Sequence, residues 1–171
     1  MAETRVKFPG RILVIGCGSV SQCAVPLILE LIDVPPERVT IMDPIDNRAR
    51  VRESLDRGVS YLFHRVQEEN YQRLLPQYVG SGDLIIDLAY DIHCTAILQW
   101  CHDQNVLYVN TSVELWHPYL GAEGKHPTEL TLYARHMAMR KVMKGWKNPS
   151  GATAIMDHGA NPGLVSHFTK Q

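Results

Sequence analysis

Apolar residues in this chain gather in short, unbroken runs separated by longer stretches of mixed character. Residues 12–15 (Ile-Leu-Val-Ile) are uniformly apolar, partly β-branched, and stop at Gly16. Similar runs stand at about 38–43, 59–63, 84–88, 106–109 and 152–156. Such runs, bounded by Gly, Pro or Asp, predict strands covered on both faces; a half-solvated strand would alternate instead. The stretches between them carry helical patterns. These predict helices over 19 to about 32, 47–57, 68–79, 91 to about 105 and 127–146, with a last one opening at Pro162. Pro26 removes one backbone donor and predicts a kink in the first helix. Gly58 stops the second, and Pro76 ends or kinks the third. Asp91 opens the fourth, and Asn161 is placed to cap the last, with Pro162 as its first residue. On the 127–146 helix, Leu130, Tyr133, Ala134, Met137 and Ala138 form the i, i+3, i+4, i+7, i+8 stripe of a core-facing side. Its late basic residues, Arg140, Lys141, Lys144 and Lys147, complement the helix dipole and face water.

Strands alternating with helices predict an α/β fold: a doubly wound, mostly parallel sheet with helices on both faces, of the Rossmann dinucleotide-binding type. The chain stops at Gln171, two turns into its last helix, without a cap. Residues 1–171 are therefore expected to be a truncated dinucleotide-binding domain, with a separate substrate or catalytic domain beyond 171.

Composition changes this picture little. Of the 171 residues, 45% are hydrophobic and 20% charged, and the net charge is −1, which disfavours nucleic acid or an anionic membrane as partner. No stretch approaches ~18 uncharged apolar residues. The amino terminus lacks the layout of a signal peptide, so the expected location is the cytoplasm. Four cysteines (17, 23, 94, 101) form no C-x-x-C pair. Cys94 and Cys101, beside His93 and His102, read as core thiols, and no metal site is expected.

The candidate chemistry starts at Gly16-Cys17-Gly18-Ser19-Val20-Ser21. A strand, a glycine turn and a helix start form a dinucleotide-binding unit. Gly16 permits the turn. Gly18 lets backbone approach a pyrophosphate, and the helix from Ser19 and Val20 aims unpaired N–H groups at that anion. Ser21 replaces the usual third Gly or Ala but is small enough for close packing. Asp43 ends the next strand, roughly 20–25 residues after the glycines, where such folds place an acid for the adenosine ribose. Its carboxylate favours NAD over NADP, although Arg48 and Arg50 nearby could serve a phosphate, and Asp43 could also cap the turn before Pro44.

Three pieces together resemble one family: Gly16-Cys17-Gly18-Ser19 with Asp43-Pro44-Ile45-Asp46, Val113-Glu114-Leu115-Trp116, and Gly159-Ala160-Asn161-Pro162-Gly163. The combination is similar to the homospermidine synthases, within the wider saccharopine-dehydrogenase-like group, over essentially the whole chain. The resemblance implies an NAD-dependent aminobutyl transfer that joins two putrescine molecules and releases ammonia. In it, hydride leaves an amine-bearing carbon, the imine exchanges ammonia for a second amine, and the stored hydride returns. It further implies Asp91, Glu114 and Asn161 as the amine-facing catalytic residues and a homodimer as the full-length form. Asp91 and Asn161 could instead act only as helix caps, and Glu114 as a solvated loop acid. His93 and His158 lie near these positions and are candidate proton carriers. Two other readings stay open. A net oxidoreductase of the saccharopine-dehydrogenase type would want Arg for its substrate's carboxylate, and residues 110–126 contain none but hold Glu114 and Glu123. A non-catalytic NAD-sensing domain is the third.

Overall fold

The computed structural model describes residues 5–159 and 163–170. In chain order its strands and helices are β1 (Val6–Lys7), β2 (Ile12–Ile15), α1 (Ser19–Leu31), β3 (Ile32–Asp33), β4 (Val39–Met42), α2 (Arg52–Asp56), β5 (Ser60–Leu62) and α3 (Tyr71–Leu74). They continue with β6 (Leu84–Asp87), α4 (Cys94–Gln104), β7 (Leu107–Asn110), α5 (Leu132–Lys144), β8 (Ala154–Ile155) and α6 (Leu164–Phe168). Among the described residues the main sheet has six strands in the order β5-β4-β2-β6-β7-β8, and every pair is parallel. Numbered along the chain, that order is 3-2-1-4-5-6, the Rossmann arrangement, as expected.

The pleat explains why the strands read as continuous apolar runs. Ile12 and Val14 point to one face, where they join Val25, Ile28 and Leu29 of α1 and Val39 and Ile41 of β4. Leu13 and Ile15 point to the other, joining Ile85, Tyr108, Ile97 and Leu98, with Leu74 and Met139. Successive side chains of a strand alternate between faces, so a sheet with helices on both sides needs apolar residues at every position.

Helices depart from the expected pattern where backbone chemistry outweighs periodicity. Residues 47–57 divide into a 3₁₀ turn, Arg48–Val51, and α2, closed by Gly58 at φ +113°. The 68–79 stretch yields only α3 and a 3₁₀ turn over Leu75–Gln77 that contains Pro76. Asp91 does not open a helix. It sits in the left-handed region at φ +58°, which turns Ile92 into the core, and α4 begins at Cys94. The cap is His93, whose Nδ1 accepts from Ala96 N at 3.3 Å. The long 127–146 helix is cut at Thr131, which is extended (ψ 157°) and caps α5 by accepting from Ala134 N. A 3₁₀ turn, Pro127–Leu130, precedes it, closed by a capping box between His126 and Glu129. The expected buried stripe is wrong: Leu130, Tyr133 and Met137 are exposed, and α5 buries Met139 instead. Polar anchors set that rotation. Arg135 donates to Val113 O at 2.8 Å, and His136 Nε2 lies 3.1 Å from Asp157 Oδ2. The late basic residues are exposed, as expected. α6 spans Leu164–Phe168 with Gly163 in the capping position; Asn161 and Pro162, expected as cap and first residue of the last helix, lie outside the described residues.

Candidate functional site

The carboxyl ends of β2, β4 and β6 meet where the strand order reverses, the place where an open α/β sheet leaves a crevice. Gly16 closes β2 there. Its N–H donates to Met42 O at 2.8 Å and its φ is +93°. A Cβ at Gly16 would stand 3.0–3.1 Å from the Leu88 and Ala89 backbone, so both conformation and space demand glycine. Gly18, by contrast, faces open space: a Cβ there would meet nothing within 4 Å. Ser21 does more than fit. Its fully buried Oγ donates to Gly16 O at 2.6 Å, so the irregular third position of the fingerprint braces the turn.

Asp43 is bound into the same turn. Cys17 N donates to its Oδ2 at 2.6 Å and Ile45 N to its Oδ1 at 2.7 Å. The carboxylate thus caps the turn before residue 45 and also tethers the glycine loop, and each oxygen keeps a lone pair for an external donor. Behind it, Tyr61 donates to Ile45 O at 2.6 Å, and burial raises its phenol to about 12. Burial also raises the Cys17 thiol, so this cysteine fills space and is not a reactive nucleophile. Arg48 is held by Asp46 at 2.8 Å and lies over the Phe63 ring.

The cleft has a volume of about 470 Å³. Of the residues expected at the site, Gly16, Gly18, Asp43 and Asp91 line it. Ser19 and Val20 start α1 just beside it, exposed and outside the lining. Glu114 is also outside the lining: its Oε1 accepts from Ser112 Oγ at 3.1 Å, and its carbonyl accepts from Cys94 N at 3.2 Å. Asn161 falls outside the described residues. His93 is occupied as a helix cap, and burial keeps its pKa below the ordinary value. His158 Nε2 lies 3.2 Å from His167 Nε2, away from the cleft lining. Cys94 and Cys101 are buried thiols, as expected, with burial raising Cys94 to about 11. Among the described residues no group of three or more His, Cys, Asp or Glu could hold a metal.

The cleft has a wall that periodicity does not reveal, the loop from His64 to Glu69. It is polar and aperiodic, and only its position after β5 marks it. Its carboxylates add to Asp43 and Asp91, and among the described residues Arg65 is the one guanidinium in the lining. Past Trp116 and His117 the cleft continues into a second hollow of about 300 Å³, shared by Asp91 and Tyr119. Trp116 is set there by its contact with Tyr71, ring centres 5.8 Å apart.

A family model for the saccharopine dehydrogenase NADP binding domain matches residues 12–155. The chain belongs to this family. Within it, the domain is 32% identical over 165 residues to homospermidine synthase of Mesorhizobium japonicum, covering 95% of this chain and 33% of that protein. It is 29% identical over 168 residues to homospermidine synthase of Blastochloris viridis, covering 96% of this chain and 34% of that protein. The chain thus spans about a third of the length of these relatives. Homospermidine synthase of Legionella pneumophila, solved in complex with NAD, superposes with a TM-score of 0.78 at 29% identity, over 97% of this chain and 33% of that one.

Proposed function

We propose that this domain binds NAD in the cleft between Gly16 and Asp43, and that the intact protein is a homospermidine synthase joining two putrescine molecules with release of ammonia. The observation that carries the reading is similarity over nearly the whole domain to three homospermidine synthases, one of them solved with NAD. The local geometry fits that cofactor. Gly18 opens onto free space at the amino end of α1, where first-turn N–H groups have no carbonyl to meet within the helix. Asp43 is fixed by two backbone donors and keeps acceptor capacity for a ribose diol, while its charge repels a 2′-phosphate. When bound, NAD+ supplies a reversible acceptor for hydride from an amine-bearing carbon.

The rest of the task falls to side chains that recognise a dication. Asp91 and Trp116 both line the second hollow, and a carboxylate together with an aromatic side chain suits an alkylammonium. Glu114 serves the amine once the 111–117 loop presents it to the cleft, and Asn161 completes that side. The opposite wall comes from the part of the relatives that this chain does not span, which would also cover the apolar side of α5. The intact protein works as a cytoplasmic homodimer; four free thiols suit a reducing compartment.

The test supplies intact protein with putrescine and a catalytic amount of NAD+. Homospermidine and ammonia should appear in equal amounts without accumulation of NADH. Steady NADH formation would instead support a net oxidoreductase, and dinucleotide binding without product a sensing domain. Residues 1–171 alone should bind dinucleotide but give no product.

A further inference from the structure

Outside the cleft, one buried polar assembly is unused by the reading above. Asp87, Tyr108 and Asn110 are 4%, 1% and 1% exposed and stand at the carboxyl ends of neighbouring strands β6 and β7, where Asp87 and Asn110 are register partners. Tyr108 donates to Asp87 Oδ2 at 2.9 Å, and Asp87 Oδ1 accepts from Ala89 N at 3.3 Å, in the cleft wall that leads to Asp91. Asn110 is the branch point. Its Nδ2 donates to Ser112 O at 2.9 Å and faces Tyr108 Oη at 3.3 Å. Its Oδ1 accepts from Asp157 N at 2.7 Å, and its own carbonyl accepts from His158 N at 3.0 Å. Ser112 in turn holds the Glu114 carboxylate at 3.1 Å, and Asp157 is held at φ +55° against His136.

Three loops far apart in sequence therefore end on one buried amide and its two partners. They are the loops that carry Asp91, that carry Glu114, and that run towards Asn161. We infer that Asn110, with Tyr108 and Asp87 behind it, is a positioning residue that sets the register of these three loops for the amine substrate; the amine part of this inference rests on the proposed function. An apolar residue at 110 would fill the same space with fewer demands, since a buried amide is tolerated only when its donors and acceptor are satisfied. Its Nδ2 is spent on the Ser112 loop and on Tyr108, which leads through Asp87 to the Asp91 loop, its Oδ1 and carbonyl on residues 157 and 158, and none on the glycine turn that holds the cofactor.

The test compares Asn110→Leu, which removes all side-chain bonds, with Asn110→Asp, which keeps the acceptor for Asp157 N but loses both donors. In the intact protein, the KM for putrescine should rise about 10- to 100-fold in both, as expected when reacting groups are displaced by an ångström or so. NAD affinity should stay within about twofold, because the glycine turn shares no partner with Asn110. Backbone hydrogen exchange should quicken at 157–159 in Asn110→Leu more than in Asn110→Asp, and at 111–117 in both, with 12–18 unchanged. An unchanged KM, or a parallel loss of NAD affinity, would overturn the inference. So would failure of both variants to fold, which would make Asn110 a folding residue. If the intact protein forms no homospermidine the proposed function fails, yet the exchange pattern still decides whether Asn110 sets the loops.

Discussion

Between Ile12 and Asn110, β2 is buried at all four positions, α1 buries four side chains and α4 five. Between Thr111 and Lys170, β8 is exposed at both residues and α5 buries Met139 alone, while Tyr133 is 72% exposed. The two regions both carry apolar residues, and in the second Leu132, Tyr133, Met137, Val142 and Met143 of α5 stand exposed. They differ in whether an apolar stripe meets a second layer. In the first, both faces of the sheet find a helix. In the second, α5 and the turn after it are fastened by directional contacts: Arg135 to Val113 O, Trp146 Nε1 to Gln99 Oε1 at 2.7 Å, and the Trp146 ring stacked on His102 at 3.8 Å. Its apolar side is left as surface of the kind that marks an interaction site. A hydrophobic stripe predicts a face that benefits from cover; polar anchors decide which face the rest of the fold receives.

The comparison is tested most severely by Gly16→Ala, in the better-packed region. A positive φ and a backbone contact of 3.0 Å leave no room for relaxation, and the expected loss is about 3–4 kcal/mol with collapse of dinucleotide binding. Denaturant titration measures it, and a loss below about 1 kcal/mol would mean the turn is looser than its packing implies.

Next comes Asp87, whose burial raises its carboxyl to about 6 from the ordinary 3.8. The folded state therefore binds the proton more tightly than the unfolded chain. The stability linked to this group is fully present below about pH 4, falls as pH rises through about 6, and is flat above. The difference is about 3 kcal/mol in order of magnitude. Asp87→Asn has no such proton to lose, so its stability relative to wild type should improve by that amount between pH 4 and pH 8. Parallel pH profiles would show that Asp87 titrates normally.

The smallest effect belongs to α5. Tyr133→Ser with Met137→Gln should change the stability of this chain by no more than about 0.5 kcal/mol, the range for exposed sites. A larger loss would show that the face is covered in solution and would close the gap between the two regions.

These contrasts match what was legible in the amino acids. All six sheet strands and the glycine turn could be read because β-branched runs and a glycine with positive φ each have one physical meaning. Asp91 misled as a helix opener because an Asp that caps and an Asp in the left-handed region have the same local sequence signature. The 127–146 stretch misled because periodicity carries no information on long-range bonds such as that from Arg135 to Val113. The His64–Glu69 wall and the Asn110 junction were illegible for a related reason: their partners come from distant parts of the chain.

We propose that Asp43 reads the adenosine ribose and selects NAD. Calorimetric titration of wild type and Asp43→Ala with NAD and NADP addresses it directly. Removing hydrogen bonds to a charged group is worth about 1.5–3 kcal/mol, or roughly 10- to 150-fold in Kd. Asp43 also tethers Cys17 N, so loss of the loop tether alone would weaken both dinucleotides alike. In Asp43→Ala, NAD should weaken by that factor while NADP, freed from repulsion, should not. Equal affinities in wild type and variant, or equal losses for both cofactors, would contradict it.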